Sequence, residues 1–244
     1  MVHSGCDTAI ATSPGHLGGS DSAPSGVCHR MQVTRRNIGQ PCALSKDQTK
    51  GRQWRRYTVC RADMRVVAIP GALRSGSTNN GLLRAAAEVL PSGMHMIQAD
   101  YSQLPLYNDD MWTTGIPDSV KTFRNHIESA DALLFAVPEY NYSLPGPLKN
   151  AIDWASKNPN VFAGKPATML GSGGGAGTAT AQLHLRQAAA WLDIHFLNKP
   201  TIQIHRFTEQ EVFDDDGNLI SEKWRGRVQQ QMLALQQWTE LFQK

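Results

Sequence analysis

The stretch RVVAIPGALRSGSTNN (residues 65–80) determines the fold class. After Arg65, the apolar residues 66–69 run into Pro70, which indicates a buried strand, and the ten residues that follow mix glycine with small polar residues. Leucine and alanine then recur at helical spacing from Asn79 onward. A strand, a small-residue loop and a helix in this order are the start of a βαβ unit.

The same alternation continues to the end of the chain. It predicts strands at 65–70, 94–99, 132–137, 167–170 and 201–205, and helices at 79–90, 118–130, 147–156, 178–192 and 221–242. Strands that alternate with helices indicate a parallel sheet covered on both faces. We therefore predict an α/β domain, a doubly wound five-stranded parallel sheet with helices on both faces, over residues 63–244.

The leader, residues 1–62, has a different composition. It holds nine Lys and Arg, three Asp and no Glu, is rich in Ser, Thr and Gly, and lacks periodicity. This composition is typical of an organelle transit peptide, and we expect a plastid rather than a mitochondrion. A disordered tail is an alternative, as is a start codon placed too early, since Met64 begins the folded pattern; the protein would otherwise be cytoplasmic.

The composition of the body, residues 63–244, excludes several functions. It carries 15 Lys and Arg against 18 Asp and Glu, so no basic footprint predicts a nucleic-acid partner. All four cysteines lie in the leader, which excludes a catalytic thiol and a Cys-ligated cluster from the body. Its histidines are scattered, so we predict no metal site, and no apolar run is long enough for a membrane span. A bound cofactor must therefore supply the chemistry.

Ligands of an open parallel sheet bind where loops leave the carboxyl ends of the strands. The loop at 71–80, after the first strand, leads small hydroxyl residues into a helix N-terminus, whose free N–H groups suit a phosphate. Donor side chains are added by Arg74, Ser77, Thr78 and Asn79. Taken alone, the loop fits a capped helix with a solvent-facing arginine equally well.

Two later loops have unusual compositions as well. The loop at 138–147 holds three prolines, one glycine and two tyrosines, and we favour contact with a planar ligand over an ordinary tight turn. The loop at 171–178 reads GSGGGAGT, and its glycines let backbone N–H groups approach a ligand. The loop fits the glycine fingerprint of dinucleotide-binding proteins only superficially. That fingerprint follows the first strand, whereas this loop follows the fourth, and the expected acidic residue, Asp193, is poorly placed because it precedes the fifth strand.

Together the three loops resemble the NADPH-dependent FMN reductase family of flavodoxin-like proteins, which includes quinone reductases and chromate reductases. The resemblance covers essentially all of residues 64–244. It rests on GALRSGSTN (71–79), on PEYNYS (138–143) with LKNAIDW (148–154), and on GSGGG (171–175), of which the second is the most specific. Family members commonly have a serine where Ala72 stands, so we expect weaker FMN retention at most.

The resemblance implies a set of cofactor contacts. The FMN phosphate would be held by Arg74, Ser77 and Asn79, with Thr78 between them. The ribityl chain and the flavin ring would be lined by Pro138, Glu139, Tyr140 and Asn141, and the pyrimidine side of the ring by Ser172, Gly173, Gly174 and Gly175. Asn141 and Ser172 would orient the ring, and no side chain would be catalytic, because the chemistry occurs at the flavin N5. The segment at 104–109 resembles a family loop near the flavin and the dimer contact.

The activity that the resemblance implies is reduction of a quinone or free flavin by NAD(P)H. The implied reaction is ping-pong, so NAD(P)H leaves before the acceptor takes two electrons. No unambiguous clamp for a 2′-phosphate is visible, which leaves both NADPH and NADH open. A homodimer or homotetramer is also implied. Two alternatives share the fold: an electron-carrier flavodoxin, usually more acidic than this body, and a flavin-binding sensor without turnover.

Overall fold

The computed structural model of the protein describes residues 63–243, which form six strands and six helices. The strands are β1 (Met64–Pro70), β2 (Met94–Gln98), β3 (Ala132–Ala136), β4 (Lys165–Gly173), β5 (Ile194–Phe196) and β6 (Ile202–His205). The helices are α1 (Thr78–Glu88), α2 (Asp109–Thr114), α3 (Asp118–Glu128), α4 (Gly146–Ser156), α5 (Ala179–Leu192) and α6 (Glu222–Glu240). The five predicted strands and five predicted helices are confirmed, with small shifts of their ends.

The sheet is parallel, and its strand order is β2-β1-β3-β4-β5, with β6 also paired to β4. Lys165 of β4 lies opposite Ile194 of β5, and Leu170 of β4 lies opposite Ile202 of β6. Two short strands therefore share the fifth position, one after the other. This order is that of a flavodoxin-like doubly wound sheet, as the sequence predicts.

Alternate side chains of the strands pack into two separate cores, one on each face of the sheet. Val67 and Ile69 of β1 belong to the core shared with α3, α4 and α5. Val66 and Ala68 belong to the core shared with α1 and α6. Because successive strand residues point to opposite faces, both faces of β1 are apolar, and the sheet is covered by helices on both sides.

Two elements differ from the sequence prediction. The sequence predicts neither a helix nor a strand between residues 99 and 118, whereas the structure forms the short helix α2 there, in which the Asn108 side chain accepts from the Asp110 N–H at 3.0 Å as the N-cap. The prediction also misses β5. That strand has three residues and follows α5 after one residue, Asp193, so no loop separates it from the helix in the sequence and its length shows no alternation.

The chain reverses the order of the strands between β1 and β3. β1 leads through α1 to β2 on one side, whereas β3 leads through α4 to β4 on the other. At this switch point the Gly71 N–H donates to the Ala136 carbonyl at 2.7 Å. A Cβ at Gly71 would lie 2.3 Å from that oxygen and from Pro138, so only glycine allows the two loops to approach this closely.

The predicted transit peptide, residues 1–62, lies outside the described residues. In the described part of the chain, no helix has the length and apolar character that a membrane crossing requires.

Candidate active site

The loops after β1, β3 and β4 lie at one edge of the sheet, because the three strands are adjacent and parallel. These are the loops whose compositions the sequence analysis singles out. Ten of the twelve predicted site residues lie in these loops or in the first turn of α1, and Ser172 and Gly173 are the last two residues of β4, so the fold brings all twelve together at the switch point.

The loop after β1 contains hydrogen-bond donors that have no acceptor among the described residues. Ser77 is the N-cap of α1, and its hydroxyl accepts from the Asn79 N–H at 3.3 Å. Within residues 63–243, the N–H groups of Thr78 and Asn80 donate to no acceptor, and the exposed Arg74 guanidinium has no hydrogen-bond or ion-pair partner. A helix N-terminus with a nearby guanidinium attracts an anion.

Asn79 ties this loop to the end of β4. Its side-chain Nδ2 donates to the Ser172 carbonyl at 2.9 Å, and its Oδ1 accepts from the Ser172 N–H at 3.0 Å. The Thr78 hydroxyl also contacts the Ser172 hydroxyl, at 3.4 Å, and all three residues are buried. The amide of Asn79 therefore serves mainly to join α1 to β4, where a buried backbone pair needs a partner.

The loop after β3 contains a strained turn. The N–H of Tyr140 donates to the Ser143 carbonyl at 3.1 Å, and the reverse bond is 3.0 Å. Between them, Asn141 and Tyr142 have φ of 52° and 59°, the left-handed conformation of both central residues of a type I′ turn. That conformation costs a tyrosine roughly 1 kcal/mol, and the Tyr142 side chain is 73% exposed, so packing does not explain it. Backbone strain of this kind concentrates at ligand sites.

Glu139 has a structural partner. Its Oε2 accepts from the N–H of Ala181 at 3.0 Å, in the first turn of α5. The N-cap of that helix, Thr178, makes no side-chain cap of its own. The carboxylate of Glu139 therefore caps α5 from the neighbouring loop, with the favourable sign for a helix N-terminus.

The glycine run at 171–175 begins within β4 and divides into two parts. A Cβ at Gly171 or Gly173 would lie within 2.9 Å of Thr178, so these two glycines allow the buried threonine to pack. A Cβ at Gly174 would lie 2.9 Å from the ring of Phe207, whereas at Gly175 it would meet no atom within 4 Å. The first part therefore has a packing role, and Gly175 leaves open space at the ligand edge.

The segment at 104–109 is attached to α4. Asn150 donates to the Pro105 carbonyl at 2.9 Å and accepts from the Tyr107 N–H at 2.7 Å, and Trp154 Nε1 donates to the same carbonyl at 2.8 Å. Asn150 and Trp154 belong to LKNAIDW, so this part of the second motif positions the loop. Leu106, between the two anchored residues, is exposed.

A buried tyrosine supports the end of β1. The Tyr101 hydroxyl donates to the Pro70 carbonyl, immediately before the loop at 71–80. Burial, with a smaller contribution from nearby Tyr140, raises the pKa of Tyr101 well above its usual range. This phenol is therefore a fixed hydrogen-bond donor and not a proton-transfer group. No sequence signal marks Tyr101, since it follows the second strand, whose loop has no distinctive composition.

Arg206 and Phe207 are also missed by the sequence analysis. They follow β6 at the same edge of the sheet, and the Arg206 N–H donates to the Gly173 carbonyl at 2.9 Å. The rule that finds the other loops would have found this one, because an arginine and a phenylalanine directly after the last strand are an unusual start for a surface loop.

The site suits a cofactor that joins a phosphate to a planar ring. Free N–H groups and Arg74 supply a cationic end, and Tyr140, half exposed, and the open backbone at Gly175 supply a flat, accessible one. Within the described residues, no group of three His, Cys, Asp or Glu side chains is placed to bind a metal ion. The residues present therefore fit FMN.

Known proteins similar to this chain agree with that fit. Residues 64–209 match the family model described as NADPH-dependent FMN reductase. An NAD(P)H-dependent FMN reductase of Pseudomonas aeruginosa is 52% identical over 178 residues, which is 72% of this chain and 95% of that protein. An NADPH:quinone oxidoreductase of Arabidopsis thaliana is 45% identical over 186 residues, or 75% of this chain and 95% of its own length.

A solved structure gives the same result. The flavoenzyme FerB, an NAD(P)H:(acceptor) oxidoreductase from Paracoccus denitrificans, is 32% identical and superposes with a TM-score of 0.67. The alignment covers 73% of this chain and 98% of FerB.

Proposed function

Because the chain belongs to the NADPH-dependent FMN reductase family, we propose that it is an FMN-containing oxidoreductase that uses NAD(P)H to reduce quinones or free flavin. The observation that carries this proposal is the meeting of three loops at the switch point of the sheet. One loop suits a phosphate, the second presents rigid exposed tyrosine, and the third leaves open space over its backbone.

The cofactor contacts divide by function. The phosphate of FMN is bound by Arg74, the Ser77 hydroxyl and the free N–H groups of Thr78 and Asn80. The ring would lie against Pro138, Tyr140 and Asn141 and over the open backbone at Gly175, with Gly173 and Gly174 supporting that segment. Asn79, Glu139 and Ser172 hold these loops in position through the bonds described above. When bound, FMN supplies two-electron transfer from the nicotinamide to the acceptor.

Steady-state turnover tests the activity. Protein loaded with FMN is expected to oxidise NADPH or NADH rapidly in the presence of a quinone and slowly in its absence. Protein that retains FMN but transfers no electrons to a quinone, free flavin or ferricyanide would be a carrier or a sensor, and the proposal would fail.

We further propose a ping-pong reaction, with donor and acceptor using the same open surface in turn. Support comes from the meeting of the three loops at one edge of the sheet, where the donor and the acceptor would reach the cofactor in turn. Initial rates at several fixed quinone concentrations are expected to give parallel double-reciprocal lines against NADPH. Intersecting lines would show that both substrates bind together.

A homodimer or homotetramer is the proposed assembly. α5 exposes Leu183 and Trp191, the latter 90% accessible, beside a groove whose lining between α4 and α5 includes Leu144 and Ala188. Apolar residues this exposed on one helix suit a contact with a second copy of the chain. Light scattering is expected to give an oligomer for the wild type and a smaller species for Trp191→Asp. A monomeric wild type would refute the assembly.

For the leader we propose plastid targeting, supported by its basic, acid-poor and Ser-rich composition and by a family match that begins at residue 64. A fluorescent protein carrying residues 1–62 at its N-terminus is expected to enter plastids of leaf cells. A diffuse cytoplasmic signal would indicate an untargeted tail.

A further inference from the structure

Two residues at the ligand edge have no role in the site described so far. Arg206 and Phe207 begin the loop after β6. The Phe207 side chain is 79% exposed, although its ring covers the backbone of Gly174. The guanidinium of Arg206 is exposed and makes no hydrogen bond or ion pair with any described residue.

The backbone of this loop is firmly held. The Arg206 N–H donates to Gly173, and the N–H of Glu209 donates to the His205 carbonyl at 2.9 Å. Glu209 in turn accepts from Trp224 Nε1 at 2.7 Å and from Lys223 at 3.3 Å, so its carboxylate is compensated. The backbone that carries the Phe207 ring and the Arg206 guanidinium is therefore fixed. Packing against the rest of the protein does not explain why these two side chains are exposed.

Two arginines at this edge, Arg74 and Arg206, lie at the ends of different strands and could bind two different anions. Arg74 follows β1 and Arg206 follows β6, and neither is paired within residues 63–243. Lys149, in the first turn of α4 at the same edge, is paired with Asp153 at 2.7 Å. In the order β1-β3-β4-β6, the strands that lead to the two arginines are three strand spacings apart, or about 14 Å. FMN has one phosphate, which Arg74 binds in the proposed function, so Arg206 remains for a second phosphorylated ligand.

We propose that Arg206 and Phe207 form the subsite for the adenosine-phosphate half of the pyridine nucleotide. The guanidinium binds a phosphate of that half, and the phenylalanine ring packs against the adenine. This inference rests on the proposed function, because it assumes that NADPH or NADH is the electron donor. It supplies the phosphate-binding residue that the sequence motifs lack.

Direct binding to the full-length, FMN-loaded protein tests the subsite. The probes are adenosine 2′,5′-bisphosphate and ADP, titrated calorimetrically into the wild type, Arg206→Gln, Phe207→Ala and Lys199→Gln. Lys199 is a matched control, an exposed cation that precedes β6 whereas Arg206 follows it. Arg206→Gln is expected to weaken at least one probe by roughly threefold to tenfold, the size of an exposed charge-assisted contact. Phe207→Ala is expected to weaken both probes, and Lys199→Gln neither.

Each result has a definite meaning. Loss of affinity for the 2′,5′-bisphosphate alone supports the subsite and assigns Arg206 to the 2′-phosphate, whereas loss for both probes supports it and assigns Arg206 to the 5′-phosphates. Unchanged affinities in both variants would overturn the proposal. So would an equal loss in Lys199→Gln, or no binding of either probe to the wild type at millimolar concentration.

Kinetics separate this inference from the proposed function. In Arg206→Gln the KM for NADPH is expected to rise by a similar factor, and the ratio of its rise to that for NADH reports which phosphate is bound. A wild type that binds the probes but never oxidises NADPH would contradict the proposed function. A wild type that turns over, with KM values unchanged in both variants, would contradict the subsite alone.

Discussion

The candidate site contains two polar regions that resemble each other in sequence and differ in structure. The buried tie, formed by Thr78, Asn79 and Ser172, is almost inaccessible and internally hydrogen-bonded. The open turn, residues 140–143, together with Gly175, is exposed, strained and bonded mainly to itself. In sequence, both regions combine small polar residues with glycine or aromatic neighbours. This is the composition from which a ligand-binding loop is predicted.

The difference shows that a binding motif contains two kinds of residue: some contact the ligand, and others hold the ligand-binding loops in position. Asn79 and Ser172 hold the loops in place, so their loss should reduce stability first and cofactor binding as a consequence. Tyr140 and Gly175 contribute little to packing, so changes there should affect the cofactor and leave the fold unchanged. Four substitutions test this division, in decreasing order of expected effect.

Asn79→Ala should have the largest effect. It removes both bonds to Ser172 and leaves a buried N–H and a buried carbonyl without partners, which costs about 2–3 kcal/mol of unfolding free energy. Chemical denaturation measures it. Asn80→Ala is the matched control, because Asn80 makes a single bond, to the Arg74 carbonyl at 3.0 Å, and should lose less than about 1 kcal/mol. Equal losses in the two variants would refute the tie.

Gly175→Ala should weaken FMN binding and leave the stability of the protein almost unchanged. A Cβ at this position meets no protein atom within 4 Å, so the unfolding free energy should change by less than about 0.5 kcal/mol. The methyl group occupies the space that we assign to the flavin ring, and the Kd for FMN, measured by quenching of flavin fluorescence, should rise about tenfold or more. Unchanged FMN affinity would show that the ring lies elsewhere.

Tyr140→Ala should weaken FMN binding without unfolding the protein. The side chain is 51% exposed, so little packing is lost, whereas loss of an aromatic contact with the ring corresponds to about 0.5–1.5 kcal/mol of binding free energy. Flavin retention after gel filtration, compared with circular dichroism of the same sample, separates the two effects. A variant that keeps its flavin contradicts the assignment of this loop.

Tyr142→Gly should have the smallest effect, and it should be stabilising. Glycine adopts the observed φ of 59° without a Cβ clash, although its unfolded chain is more flexible, so we expect a gain of about 0.5 kcal/mol. Thermal unfolding measures it. A clear loss of stability would mean that the left-handed turn is not strained and that its conformation carries no information about function.

Much of the fold follows from local periodicity, because each main strand is a short apolar run and each main helix has an apolar stripe. β5 has too few residues for a period, and α2 depends on the Asn108 cap more than on an apolar face. The convergence of the three loops also follows from the sequence, through the parallel order of the strands. Which loop residues hold the structure and which contact the ligand does not follow from the sequence, because these roles depend on distant partners. Asn79 bonds to a residue 93 positions away, and Glu139 bonds to one 42 positions away.

The most direct test of this account is the visible absorbance spectrum of the FMN-loaded protein under anaerobic conditions, before and after NADPH and then after a quinone. We predict that FMN stays bound through gel filtration, that NADPH bleaches its absorbance, and that the quinone restores it. Bound flavin that neither NADPH nor NADH bleaches would contradict the reductase function. A protein that retains no FMN would contradict the assignment of the three loops themselves.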